Sequence, residues 1–441
     1  MQGLPPRGMR DFYPDQMRTR NWLFSRWRES ATRYGFEEYS SSVVEQEELF
    51  VLKSGEEIIS QLFNFTDKGG RRVALRPEMT PTFARMIAAK GGALAKPLKW
   101  FSIAQCFRYE RMSKGRKREH YQWNLDVVGV PDVTAEAELL AVALDALEGL
   151  GLSGKDVVVR ISHRGLMGAV LEGLDIAQES WTGVFGIIDK RGKESDEKLW
   201  KLMEAQGVPE ATIRALFSLL EEKTFDPFYE LLERKGLPTA SVEDLRTLFG
   251  YLEAYGVRDY CEFSPSIVRG LPYYTGTVFE CFDREGKFRA IFVGGRYDNL
   301  LELFGAGPLP SAGLGFGDVV IQEILQEKGL LPGLSRRIDF FLVPFSQEER
   351  EQAIRTVQQL RKQGFYSDLV LNSKKLKGAL REGARLRAKR VVLLLPDELK
   401  QGLLVLRDLE SGQEERIAEE RFLADPGRFL QEDSNGPSRR T

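Results

Sequence analysis

At 441 residues, with 42% apolar and 29% charged side chains and a formal net charge of −2, the chain can bury two or three cores and has the balance of a globular protein. No apolar run approaches eighteen residues and the N-terminus has no signal-peptide layout, so the expectation is a cytoplasmic protein with no membrane partner. Two histidines and three widely spaced cysteines are too few for a histidine-based triad, a zinc site or a disulfide framework, which leaves carboxylates, guanidiniums and bound ions to carry any chemistry.

Gly3–Gln16, GLPPRGMRDFYPDQ, reads as an extended, proline-rich lead-in. Met17–Tyr34 has helical apolar spacing closed by Gly35, and YSSSVVEQEELF (39–50) follows as a strand. Gln61–Phe65 and Arg72–Leu75 pair as hairpin strands around Asp67-Lys68-Gly69-Gly70. They deliver LRPEMTP (75–81), in which Arg76, Glu78 and Thr80 alternate towards one face. A carboxylate leaving a strand can bind an ammonium group, although a surface glutamate has the same letters. Pro81–Lys90 continues as a helix.

Next come two apolar strands, Trp100–Glu110 and Tyr121–Val130, joined by a very polar turn with Gly115 at its tip. The turn region carries Arg108, Arg111, Lys114, Arg116, Lys117 and Arg118 against Glu110 and Glu119. A solvated charged hairpin is one account of it. The other is a polyphosphate holder, since guanidinium forks bind phosphate oxygens bidentately. Arg108 falls on the strand, where an unpaired charge is costly to bury. Gln122 and Asp126, an even number of residues apart, share one strand face, and such a face makes a poor core and a good pocket floor.

Val133–Leu150 is a helix, Asp156–Ile161 a strand, and His163–Leu174 a short helix that His163 caps or packs against. From about 175 to 259 the pattern is helical and charged. Strand character returns at Pro265–Phe282, where Tyr273, Thr275, Thr277 and Phe279 alternate with Tyr274, Gly276, Val278 and Glu280, and Arg269 stands at its start. Gly294 and Gly295 permit close backbone approach to a ligand. After the linker Leu331–Arg337, strands and helices alternate to the end, which implies a small α/β domain with a mostly parallel sheet. There Lys374, Lys375, Lys377, Arg381, Arg385, Arg387, Lys389 and Arg390 are offset only by Glu382. The predicted division is a first domain over residues 1–330 with its helical insertion at about 175–259, a second over 331–425, and a disordered tail at 426–441.

The segment 107–126 resembles motif 2 of class II aminoacyl-tRNA synthetases in the form found in histidyl-tRNA synthetases. That pattern, F-R-x-E-R, then K-G-R-x-R-E-F, then Q with an acid four places on, is met at Arg108, Glu110, Arg111, Lys114, Gly115, Arg116, Arg118, Glu119, Gln122 and Asp126. His120 stands for the family's adenine-stacking phenylalanine. Residues 269–280, RGLPYYTGTVFE, are similar to the R-G-L-x-Y-Y-x-x-T-x-F-E signature of the same family and its paralogues, with Pro272 for the usual acid. VGGRYD (293–298) resembles the family's G-G-G-R-Y-D, and the lead-in its G-T-R-D-F-x-P opening. Two departures stand out: Ser42 replaces the proline of motif 1, and Gly317-Asp318-Val319-Val320 replaces the G-x-E-R of motif 3, without the arginine that sandwiches adenine.

The resemblance implies an α+β catalytic domain, an antiparallel class II sheet with helices, followed by an α/β anticodon-binding domain. It implies an enzyme that activates histidine with ATP and Mg²⁺ and transfers it to tRNA(His), working as a homodimer, with the insertion facing tRNA. Arg108 and Arg269 would flank the α-phosphate, with Glu110 near the adenine or the loop. Glu78 and Thr80 would hold the α-amino group, and Gln122, Asp126, Tyr273 and Tyr274 the rest of the histidine. Arg116, Arg118 and His120 would complete the ATP site, with no metal held by the protein itself. Two alternatives remain at this point: a histidine-sensing paralogue of the kind that regulates ATP phosphoribosyltransferase, and an aminoacylating paralogue with another acceptor.

Overall fold

The computed structural model describes residues 3–191, 194–268, 273–372 and 375–430. The chain forms two compact units, Met1–Pro332 and Gly333–Thr441.

The first unit is organised by an eight-stranded sheet. In spatial order its strands are Glu37–Glu38, Leu98–Phe107, Glu119–Val128, Ser311–Gly317, Phe292–Arg296, Thr277–Asp283, Val157–His163 and Cys261–Phe263. The five central pairings are antiparallel and the two outermost parallel. Strand Glu119–Val128 lies near the middle, and its period of two divides its side chains cleanly. Trp123, Leu125 and Val127 enter the main core, where Trp123 stacks on Trp27 of the helix Pro14–Arg33 at 5.7 Å. Helix Thr134–Gly149 is apolar on nearly every side and therefore buried, covering the same sheet face beside Pro14–Arg33. The opposite face of the strand, with His120, Gln122, Asn124 and Asp126, is free to build a site.

Between the parallel edge strands Val157–His163 and Cys261–Phe263 the chain forms helices Arg164–Gly173, Trp181–Ile188, Asp196–Ala205, Glu210–Glu221, Asp226–Lys235 and Ala240–Ala254. A parallel pairing needs a crossover connection, and these helices supply it. They are anchored to the main core through residues such as Phe228, Leu232 and Leu245, all fully buried. His163 caps the first of them, its Nδ1 accepting from the Leu166 amide at 3.2 Å.

Three predicted elements differ in extent. In 39–50 only Val44–Gln46 is a strand, at the edge of a small antiparallel sheet with Arg72–Leu75 and Phe63–Thr66; Glu47–Ser54 is a helix whose Leu49 and Phe50 pack inward. Of the strand expected over Pro265–Phe282, the structure shows strand from Thr277. Among the described residues 265–268 and 273–276 are outside it, with the Thr275 amide donating to the Arg296 carbonyl at 2.8 Å, and 269–272 lie outside the described residues. In the second unit the helical and strand order is as expected, but the sheet is mixed. Ser367–Leu369, Ile338–Pro344 and Ala388–Leu394 are parallel, and the hairpin Leu403–Asp408 and Glu414–Ala418 adds antiparallel pairings at the far edge. Helices Arg350–Lys362 and Leu376–Arg385 cover its two faces over separate apolar clusters. Residues 426–430, expected in the tail, form a tight helical turn with Phe429 against Phe422 at 5.7 Å. The remainder of the expected tail, 431–441, lies outside the described residues.

Candidate active site

Two neighbouring glycines open the site. Gly313 pairs with Asp126 and Gly315 lies across from Asn124 on the adjoining strands. A Cβ at Gly313 would fall 2.3 Å from Asp126 Oδ1, and one at Gly315 1.9 Å from Gln122 Nε2. Glycine is therefore what lets the polar side chains of Glu119–Val128 lie flat over the next strand. Above them is a cavity of about 400 Å³ lined by Glu78, Thr80, Gln122, Asp126, Tyr273 and Tyr274, all six expected from the sequence, and by Lys53, Asn124 and Tyr297, which were not.

Its buried charges are few and each is answered, while Glu57 stands exposed at the margin. Lys53, on the helix Glu47–Ser54 and only 2% exposed at its side chain, forms an ion pair with Glu78 at 2.5 Å and lies 4.3 Å over the Tyr273 ring. Burial works against ionisation of Glu78, but the Lys53 ammonium and the Arg108 guanidinium outweigh it and hold its pKa below the usual value. Asp126, 4% exposed, accepts the Tyr297 hydroxyl hydrogen bond. Burial pushes its pKa up to about 7, against the opposing pull of Tyr297 and Lys53. The cavity thus holds one fixed anion and, farther along the floor, a carboxyl poised between its two forms. Such a pair suits a small molecule with an ammonium at one end and a weakly basic polar group at the other.

Arg108 stands at the junction. Its Nε donates to the Pro77 carbonyl at 3.1 Å, and its side chain, with Val293 and Gly315, lines both this cavity and a second one of about 220 Å³. The second cavity also takes in Glu110, Arg116, Lys117, His120 and Arg289. Glu110 pairs with Arg116 at 2.5 Å. Burial, then Arg108, Arg10 and Arg116, drive the His120 pKa down to about 3, so its imidazole is a neutral plane. Arg118 is directed elsewhere: its guanidinium lies 3.9 Å over the Tyr109 ring and its Nε donates to the Glu110 carbonyl at 3.3 Å. Arg269 lies outside the described residues.

The departures in the third motif have structural counterparts. Asp318, fully buried, accepts from Arg10 at 2.9 Å and from the Tyr121 amide at 2.9 Å, so it fastens the helix Asp318–Glu327 to the central strand. Arg10 also donates to Glu119 at 3.0 Å. Val320 lines the second cavity, but with an aliphatic side chain. Deeper in, Arg296 is paired with the fully buried Glu136 at 2.6 Å and donates to the Asp132 carbonyl at 2.7 Å. This pair fixes the chain that presents Tyr297, and it is a structural rather than a substrate-facing charge. Among the described residues no cluster of three or more histidines, cysteines, aspartates and glutamates could hold a metal ion, and no helix is long and apolar enough to cross a membrane.

A family model described as histidyl-tRNA synthetase matches residues 8–317, and one described as an anticodon binding domain matches residues 339–424. The chain is 43% identical over 413 residues to the chloroplastic/mitochondrial histidine–tRNA ligase of Arabidopsis thaliana, covering 94% of this chain and 84% of that protein. It is 40% identical over 430 residues to the histidine–tRNA ligase of Opitutus terrae, covering 96% and 97%. A solved histidyl-tRNA synthetase from Nostoc sp. PCC 7120 has a TM-score of 0.82 at 23% identity over 98% of this chain and 99% of that one, a likeness of fold.

Proposed function

The chain belongs to the histidyl-tRNA synthetase family, and from that premise we propose how its two joined cavities activate histidine with ATP and pass it to tRNA(His). The observation that carries this reading is Arg108, shared by a cavity fitted to a small zwitterion and one lined with guanidiniums.

Histidine occupies the first cavity. Its ammonium meets Glu78 beside Thr80, and its imidazole meets Asp126, with Gln122, Tyr273 and Tyr274 enclosing it. Lys53 keeps Glu78 ionised, and Tyr297 orients the Asp126 carboxyl. A pocket whose buried polar groups need partners rejects analogues that lack them, by up to roughly 10⁴–10⁵-fold. ATP lies along the second cavity with its base on His120 and its tail towards Arg116. The histidine carboxylate oxygen attacks the α-phosphorus as the bond to the β-phosphate oxygen breaks, and pyrophosphate leaves with that electron pair. A ribose hydroxyl at the tRNA end then attacks the adenylate carbonyl and AMP departs. The protein contributes chiefly position and charge. Arg108 neutralises the α-phosphate, and Arg269 is assigned the same task from the other side. Glu110 orients Arg116 and is the carboxylate in the second cavity that could share Mg²⁺ with the phosphates; one or two such ligands suffice for that ion, which supplies further charge neutralisation.

We assign the second unit to tRNA contact, supported by the exposed basic side chains of Lys375, Lys377, Arg381 and Arg385. Dimerisation is supported by the edge strand Val44–Gln46, where Val44 and the preceding Val43 are 39% and 36% exposed, an apolar edge that a second copy could cover. A cytoplasmic setting suits three buried free thiols. Histidine-dependent exchange between ATP and labelled pyrophosphate tests the first step and charging of tRNA(His) the second. Exchange without charging would redirect the acceptor, and binding of histidine without exchange would leave only a sensor.

A further inference from the structure

The wall of the second cavity formed by the start of helix Asp318–Glu327 brings it Val319 and Val320, an apolar surface with no cation. A guanidinium reaches the same cavity from another element. Arg289 precedes strand Phe292–Arg296 and shares the cavity with His120, Val319 and Val320. It is exposed, and makes no hydrogen bond or ion pair among the described residues. Together with Arg108, Arg116 and Lys117 it faces a space whose one lining carboxylate is Glu110. Burial lowers the Arg116 pKa, Glu110 opposes it, and Arg289 and Arg108 then lower it further, a repulsion that an anion or an electron-rich ring would relieve.

Neighbouring contacts set where Arg289 stands. The Gly317 amide donates to the Ile291 carbonyl at 3.2 Å, so the residues before Ile291 run on past the sheet beside Val319 and Val320. The Lys114 ammonium lies 4.2 Å over the Phe288 ring, and the Gly115 amide donates to Glu323 at 3.2 Å. The tip of the basic loop is thereby held against both the Phe288–Arg289 segment and the helix, and Arg289 lies at its margin. Guanidinium groups stack readily on flat rings and are weakly hydrated, so exposure at a cavity mouth does not disqualify one.

We propose that Arg289 closes the nucleotide site over the base, so that the adenine lies between His120 and the Arg289 guanidinium. This performs, from the segment before strand Phe292–Arg296, a task that position 320 cannot, and it rests on the assignment of ATP to the second cavity. The test is calorimetric titration of the full chain with a non-hydrolysable ATP analogue, alongside histidine-dependent exchange. Arg289→Ala should weaken analogue binding and raise the ATP KM by about tenfold or more, with the histidine KM within about twofold. Arg289→Lys should recover little, because an ammonium lacks the plane. The residue is exposed and outside any strand, so the Tm of both variants should match the parent. Unaltered analogue affinity in Arg289→Ala overturns the proposal, and so does full recovery by Arg289→Lys, since charge alone would then suffice. A parent chain that fails to bind the analogue overturns the ATP assignment itself, whereas a parent that binds and a variant that binds equally well overturn only the role of Arg289.

Discussion

The two cavities meet at Arg108 but are built on opposite electrostatic plans. In the first, the buried charges have partners: Lys53 answers Glu78, and Tyr297 answers Asp126, with Glu57 exposed at the margin. In the second, Arg108, Arg116, Lys117 and Arg289 face one carboxylate. A satisfied, largely buried pocket selects a ligand by what it would leave unpaired. An under-neutralised one attracts polyanions and discriminates little among them. On the proposed assignment of the two cavities, the contrast lets one site be exacting about an amino acid and still hold a nucleotide through a few guanidiniums.

Changes at the junction should fail in both halves, and changes within one half should not spread. Arg108→Ala is the largest: it removes the one guanidinium that lines both cavities among the described residues and is proposed to neutralise the α-phosphate, and exchange should fall by about 10³-fold or more. Retention of a tenth of the parental rate would break the shared-junction account. Asp126→Ala should come next, raising the histidine KM by roughly 10²-fold with the ATP KM little changed. An equal rise in both would show that the cavities are not separable.

Asp126 also sharpens the contrast through stability. Its folded pKa, about 7, lies above that of an exposed aspartate, so the folded chain binds a proton that the unfolded chain has already released. The stability this group contributes is complete below about pH 4 and is lost as pH rises through about 7. Asp126→Asn removes the ionisation while keeping an acceptor for Tyr297. Its Tm should exceed the parent's at pH 8, and the advantage should shrink as the pH is lowered towards 4. An advantage independent of pH would mean the carboxyl is not the source. Such a variant would gain stability as it loses histidine selectivity, a trade expected where a site keeps a strained charge.

Much of this arrangement was legible because it repeats locally. Period two along Tyr121–Val130 separates the pocket side chains Gln122 and Asp126 from the core side chains Trp123 and Leu125. Of the run Arg76, Glu78, Thr80, the last two reach the cavity, whereas Arg76 is buried and donates to the Gln105, Ser41 and Ser42 carbonyls. What was missed depends on contacts far apart in sequence. Lys53 closes a short helix, where a lysine normally points to water, and only the fold brings it to Glu78. Tyr297 follows two glycines that drew attention to the backbone, and its hydroxyl meets Asp126 171 positions away. Arg289 sits in the polar run DREGKFR, indistinguishable from a solvated turn until the cavity is drawn. Arg118 shows the reverse: it shares the basic loop with Arg116, but its guanidinium lies over the Tyr109 ring and lines neither cavity.

A change that leaves both cavities untouched provides the remaining control, and it lies on the second unit. Helix Leu376–Arg385 buries Ala379 and Gly383 against the sheet, Gly383 fitting beside Phe341 and Val391, and turns Lys377 and Arg381 outward. Because the packed side carries no charge, Lys377→Glu combined with Arg381→Glu should leave the Tm of the chain unchanged. If these two exposed charges meet phosphates as proposed, reversing them should weaken tRNA affinity by about tenfold in moderate salt and flatten its dependence on salt concentration. Exchange in the absence of tRNA should stay at the parental rate, because both cavities are lined by residues of the first unit. A variant with lowered exchange would tie the second unit to the activation step. One with unchanged charging would move the tRNA contact to another surface, leaving the two-cavity account of activation intact.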